Sequence, residues 1–158
     1  MKKNKGFSMV ELIIVIAIMA ILAGALAPAL IKYINKSRIS TDIQTANTIA
    51  TAIQTALSNE NGYDAATNTT GPTDVSSIYN ASGDAFETAF TSACGGSSSP
   101  TTKASKCVGS SPTSFTKGSF KYELNKETST ITIYEPDGSH VLYPTASECL
   151  SDETKACP

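Results

Sequence analysis

From Phe7 to Ile31 the sequence runs FSMVELIIVIAIMAILAGALAPALI, and Glu11 is its only ionisable side chain. Coiled as a helix at 1.5 Å per residue, this run is roughly 37 Å long, enough to cross a hydrocarbon core of about 30 Å with some tilt. Lys2, Lys3 and Lys5 stand just before it, so residues 1–6 are expected to stay cytoplasmic while the remainder is exported. An ordinary secretory signal fits poorly. The run exceeds a signal core of about 7–15 residues, the small-residue site Ala25-Leu26-Ala27 is followed by Pro28, and no Cys follows Leu22-Ala23-Gly24. A plain membrane anchor leaves Glu11 unexplained. A carboxylate costs about 2.5–3.5 kcal/mol at the centre of a span, less near an edge, and marks function there.

The residues around that carboxylate carry a resemblance. Lys5-Gly6-Phe7-Ser8-Met9-Val10-Glu11 is similar to the cleavage motif of type IV prepilins and pseudopilins, although Ser8-Met9 replaces the commoner Thr-Leu. The resemblance is dense over residues 5–58 and weak beyond. It implies that a membrane-embedded prepilin peptidase cuts after Gly6 and methylates the new amine of Phe7, leaving Glu11 fifth in the mature chain. Pro28 matches a family proline that interrupts the same helix. The implied fold is α+β: a long N-terminal helix, its first half hydrophobic and protruding, its second half packed on a small antiparallel sheet. The implied function is that of a structural subunit of a type IV pilus acting in adhesion or twitching motility. A pseudopilin of a type II secretion or competence system is the alternative within the family. A membrane-anchored extracellular enzyme or binding protein is the alternative outside it, and no catalytic constellation supports that. The implied partners are copies of the chain in a helical homopolymer, the prepilin peptidase, the pilus assembly platform, and the membrane before assembly. No cofactor is implied. The chain is expected first as a single-pass membrane protein with a cytoplasmic N-terminus, then as an extracellular filament.

The physical chemistry of each motif residue agrees. Gly6 lets the backbone lie extended in a protease cleft. Cutting before the apolar run keeps the anchor on the mature protein. In a staggered stack the freed amine of one Phe7 meets Glu11 of a neighbour, and pairing offsets the desolvation of both charges. Apolar contact alone lets helices slide; one charge pair selects an axial offset.

After Pro28 the pattern becomes amphipathic. Ile31, Ile34, Ile39, Ile43, Ala46, Ile49, Ala50, Ile53, Ala56 and Leu57 recur mostly three or four apart, with Lys32, Lys36, Arg38, Asp42, Gln44 and Asn47 mostly off the stripe. The expected divisions are a leader at 1–6, a hydrophobic helix at 7–31, an amphipathic half at 32–58 and a globular head at 59–158. The helix is expected to end near Asn59–Gly62, with Gly62 a stop signal, and to kink near Gly24 and Pro28. Residues 59–81 read as a surface loop with a short turn at 75–79. Residues 82–93 read as a helix with Asp84 and Glu87 as its start signal, broken by Cys94-Gly95-Gly96, and a second loop follows over 95–114. Three strands are expected, around Phe120–Leu124, over Thr130–Tyr134 and over His140–Tyr143, with Glu135–Ser139 as the turn between the last two.

The 158 residues suffice for one small domain plus an accessory segment. Loss of the leader lysines leaves nine basic side chains against fourteen acidic ones, which gives no footprint for general nucleic-acid binding. Cys94, Cys107, Cys149 and Cys157 form no CxxC pair, and His140 is the lone histidine, so no metal site is expected; His140 reads as an ordinary strand residue. Carboxylates at Glu148, Asp152 and Glu153 read as a solvated tail sooner than as a calcium site. Two disulfides fit an exported domain better. The expected pairs are local, Cys94–Cys107 and Cys149–Cys157, each closing a turn-rich loop. The second resembles the C-terminal disulfide loop of many pilins. A bridge from Cys94 to Cys149 or Cys157 is the alternative.

Overall fold

The computed structural model describes residues 7–79, 83–96, 98–104, 117–150, 152 and 155. One helix, α1, runs from Met9 to Leu57 without a break at Gly24 or Pro28. Proline lacks the N–H that would bond the carbonyl four residues earlier, so the group left without a helical donor is Gly24 C=O. A Cβ at Gly24 would meet nothing within 4 Å. The described residues up to Ile34 form one unit and those from Asn35 onward form another.

In the first unit the large apolar side chains from Phe7 to Ile34 are exposed. In the second unit, α1 contributes Ile39, Ala46, Ile49, Ala50, Ala52, Ile53 and Ala56 to a core completed by Phe90, Phe120, Leu124, Ile133, Leu142 and Leu150. The expected stripe therefore starts later than its spacing indicated, since Ile31 and Ile34 are exposed with the rest of the first unit. The hydroxyls of Thr41, Thr45, Thr48, Thr51, Thr55 and Ser58 each donate to the carbonyl four residues back, at 2.8–3.1 Å.

Gly62 does not stop α1. A second helix, α2 (Glu60–Ala65), starts at once, capped by the Asn59 side chain, which accepts from the N–H groups of Asn61 and Gly62. Gly62 is buried within α2, and a Cβ there would lie 2.3 Å from Ala56 O. The residue is glycine because two backbones touch, not because a helix ends. Gly62→Ala gains up to about 1 kcal/mol of helix propensity but must force the turn apart. A net loss of about 1–3 kcal/mol is expected in urea unfolding.

The remaining elements are β1 (Thr73–Asp74), α3 (Ser76–Tyr79), α4 (Ala85–Cys94), β2 (Lys121–Asn125), β3 (Thr130–Tyr134), β4 (Val141–Tyr143) and a 3-10 turn at Glu148–Leu150. The strands form one antiparallel sheet in the order β1-β2-β3-β4. The fold is α+β, a long N-terminal helix followed by a small antiparallel sheet, with one strand more than the sequence indicated. Strand alternation places Phe120, Tyr122, Leu124, Ile131, Ile133 and Leu142 inside.

Residues 59–79 are better ordered by their partners than a loop would be. Thr69 makes two hydrogen bonds to the Leu124 backbone: its N–H donates to Leu124 O at 2.9 Å, and its hydroxyl accepts from Leu124 N–H at 2.8 Å. Lys126 Nζ donates to Tyr63 O and Ala66 O, at the C-terminal end of α2, and stands over the Tyr63 ring. A cation there suits the negative end of the helix.

The start signal of α4 is as expected. Asp84 Oδ1 accepts from Glu87 N–H and Glu87 Oε2 accepts from Gly83 N–H, both at 2.7 Å. Gly95, at φ 72°, closes the helix with its N–H on Thr91 O.

Candidate functional site

The candidate side chains lie in two places, the start of α1 and the second unit. Gly6 lies outside the described residues. Phe7 is 79% exposed, two residues before α1 begins at Met9. Ser8 and Glu11 form the reciprocal start signal S-x-x-E, which spacing alone could have revealed. Ser8 Oγ accepts from Val10 N–H at 3.3 Å, and Glu11 Oε2 accepts from Ser8 N–H at 2.9 Å. The lone carboxylate of the apolar segment thus also satisfies a backbone donor at the helix start, where negative charge is favoured. Pro28 lies inside α1. This helix is long and apolar enough to cross a membrane, and none of its most apolar stretch is buried within the protein.

In the second unit, Asp42 is the buried polar group that the pattern hid. It was read as lying off the apolar stripe, yet it is 3% exposed. Its position, three after Ile39 and four before Ala46, puts it on the stripe. Its two carboxylate oxygens accept from Lys103 N–H and Ala104 N–H, each at 2.8 Å, and so fasten the segment after α4 to α1. Burial holds the Asp42 carboxyl above its ordinary pKa, opposed by those two backbone donors and by the charges of Lys103 and Lys117.

The turn after β3 forms a second polar cluster. His140 is not an ordinary strand residue. It precedes β4, is 2% exposed, and contacts Glu135, itself 1% exposed, through Nδ1 and Oε1. Burial lowers the His140 pKa. Ser139 Oγ lies 3.0 Å from His140 Nδ1 and 3.1 Å from Glu135 Oε1. This is not a Ser-His-acid relay. Hydroxyl and carboxylate both crowd the same ring nitrogen, whereas a relay needs them on opposite nitrogens.

Among the described residues Cys94, at the end of α4, and Cys149, buried in the 3-10 turn, form no disulfide. Cys107 and Cys157 lie outside the described residues. The Tyr79 hydroxyl is pushed up to about 12, first by burial and then by its hydrogen bond with Cys94. Of the tail carboxylates, Glu148 pairs with Lys155 at 3.0 Å on the surface, and Glu153 lies outside the described residues.

Residues 1–27 match the family described as the prokaryotic N-terminal methylation motif. No solved structure matches the chain.

Proposed function

We propose, from the premise that a chain with this methylation motif is a prepilin of the type IV pilin and pseudopilin kind, that it is the structural subunit of a surface pilus. The observation that carries this reading is the motif's continuation into an apolar helical stretch of which none is buried within the protein. About 25 cal/mol is lost for each Å² of apolar surface left in water, so such a stretch needs lipid before assembly and other copies of itself after it. On this reading the peptidase cuts between Gly6 and Phe7 and methylates Phe7. The helix with Glu11 and Pro28 then passes from the membrane into the filament interior, and the head, from about residue 59, lies outside. The local bridges Cys94–Cys107 and Cys149–Cys157 belong to the same reading, because the head is then exported to an oxidising space.

Intact mass and N-terminal sequencing of the surface-exposed protein, with electron microscopy of the same cells, test this. The expected result is a chain starting at methylated Phe7 in fibres. A start at Met1, or near Pro28, overturns processing after Gly6. Correct processing without fibres moves the chain to a secretion or competence pseudopilin. Peptide mapping under non-reducing conditions reads the bridges, and a fragment joining Cys94 to the C-terminal tail overturns the local pairing.

A further inference from the structure

We propose that the turn between β3 and β4 binds a divalent transition-metal ion of the zinc class, with Glu135, Asp137 and His140 as ligands. One atom from each, a carboxylate oxygen or a ring nitrogen, lies within 4.8 Å of the others. That spacing is compatible with a single ion at about 2.0–2.2 Å from each.

The backbone of the turn is closed before any ion binds. Glu135 N–H donates to His140 O at 3.1 Å, and Gly138 N–H donates to Glu135 O at 2.9 Å. Gly138, at φ 81°, permits the left-handed step. Asp137 is held by Ser139, whose N–H donates to Asp137 Oδ1 at 2.8 Å and whose hydroxyl lies 2.6 Å from the same oxygen. Ligands fixed in this way give up little freedom on binding.

The balance of donors and acceptors points to a cation. Ser139 Oγ touches Glu135 Oε1, Asp137 Oδ1 and His140 Nδ1, yet a hydroxyl has one hydrogen and can donate to only one of the two carboxylates. His140 Nδ1 and Glu135 Oε1 face each other and need a hydrogen or a cation between them. A proton meets that need for the pair. It leaves Glu135 Oε2, a fully buried carboxylate oxygen, with no hydrogen-bond partner, which is costly in a low-dielectric site. A divalent ion offsets the charge of both carboxylates and engages the imidazole together. Asp137 is exposed beside its two buried fellows, so the turn is open to solvent on that side. One nitrogen and two carboxylates suit zinc and neighbouring first-row ions; calcium and magnesium prefer oxygen ligands throughout.

The test uses the full-length protein in detergent, stripped with a chelator, its thiols alkylated so that no cysteine can bind zinc. Titration with zinc chloride is expected to show one saturable ion per chain and a raised melting temperature. Asp137→Asn keeps the oxygen that Ser139 holds and should melt unchanged without metal, yet bind zinc at least about tenfold more weakly. His140→Gln should weaken it similarly. X-ray absorption of the loaded protein should show nitrogen and oxygen neighbours only. No saturable binding, or equal binding by wild type and Asp137→Asn, overturns the proposal.

Discussion

Glu11→Val protein is expected to enter the membrane and to be cut after Gly6, yet to build no fibres when it is the sole subunit. Insertion becomes easier because the substitution removes the one charge that the apolar stretch carries. On the proposed pairing, assembly is expected to fail because the Phe7 amine of a neighbouring subunit loses its partner. Breaking a buried pair by removing one side costs about 3–5 kcal/mol, so fibre yield should fall at least about 100-fold. The bond from Ser8 N–H to Glu11 adds a second role, which Glu11→Gln separates from the first. Glutamine retains an acceptor for Ser8 but carries no charge. Fibres from Glu11→Gln and none from Glu11→Val would assign the effect to the helix start. Loss in both assigns it to the charge pair. Normal fibres from Glu11→Val alone would remove Glu11 from assembly altogether. Electron microscopy and sheared-fibre yield, against membrane-fraction controls, read the three outcomes.

Asp42→Ala is expected to be the most damaging single change in the second unit. Truncation leaves the backbone N–H groups of Lys103 and Ala104 without the acceptors they have at 2.8 Å. Each unsatisfied donor costs about 1–3 kcal/mol where it is buried, and Ala104 is 1% exposed. A total near 2–5 kcal/mol is a large share of the 5–15 kcal/mol typical of a domain. Urea unfolding of the full chain in detergent measures it, and a loss below about 0.5 kcal/mol would deny Asp42 the fastening role.

The pH dependence has a definite sign. Burial raises the folded pKa of Asp42 above its ordinary value of 3.8, so the folded state holds the proton more tightly than the unfolded one. Stability contributed by this group therefore rises as pH falls through the window from the folded pKa down to about 3.8. Asp42→Asn removes that gain. The stability gap between wild type and Asp42→Asn should widen between pH 7 and pH 4. Lys103 and Lys117 act on Asp42 electrostatically, and Glu135 lines the same small cavity, so neutral variants at those positions are the controls.

What was legible in the sequence was local. Thr130–Tyr134 alternates apolar and hydroxyl side chains, Asp84 and Glu87 stand three apart, and Gly95 follows the last apolar turn of α4; each feature is specified within a few neighbours. The segment after α1 has the composition of a loop, so its order is not visible in its own residues. Its order comes from Thr69 on Leu124 and from Lys126 on the end of α2, pairs far apart in sequence. Asp42 was misread for a related reason. Its spacing matched the buried stripe but its chemistry did not, and only the distant Lys103 and Ala104 explain why a carboxylate is tolerated there. The Glu135–His140 cluster is hidden in the sequence because Pro136, Asp137 and Gly138 between its members signal a turn by backbone geometry alone.

The threonines of α1 alter what kind of surface that helix presents. From Thr41 to Ser58 each hydroxyl hydrogen is committed to the helix's own carbonyls. Outward, a threonine then shows a methyl group and the lone pairs of an oxygen, with no donor in need of an acceptor. Such a wall can stand in water and can also be dried against another surface, without the desolvation cost that a count of its hydroxyls would indicate.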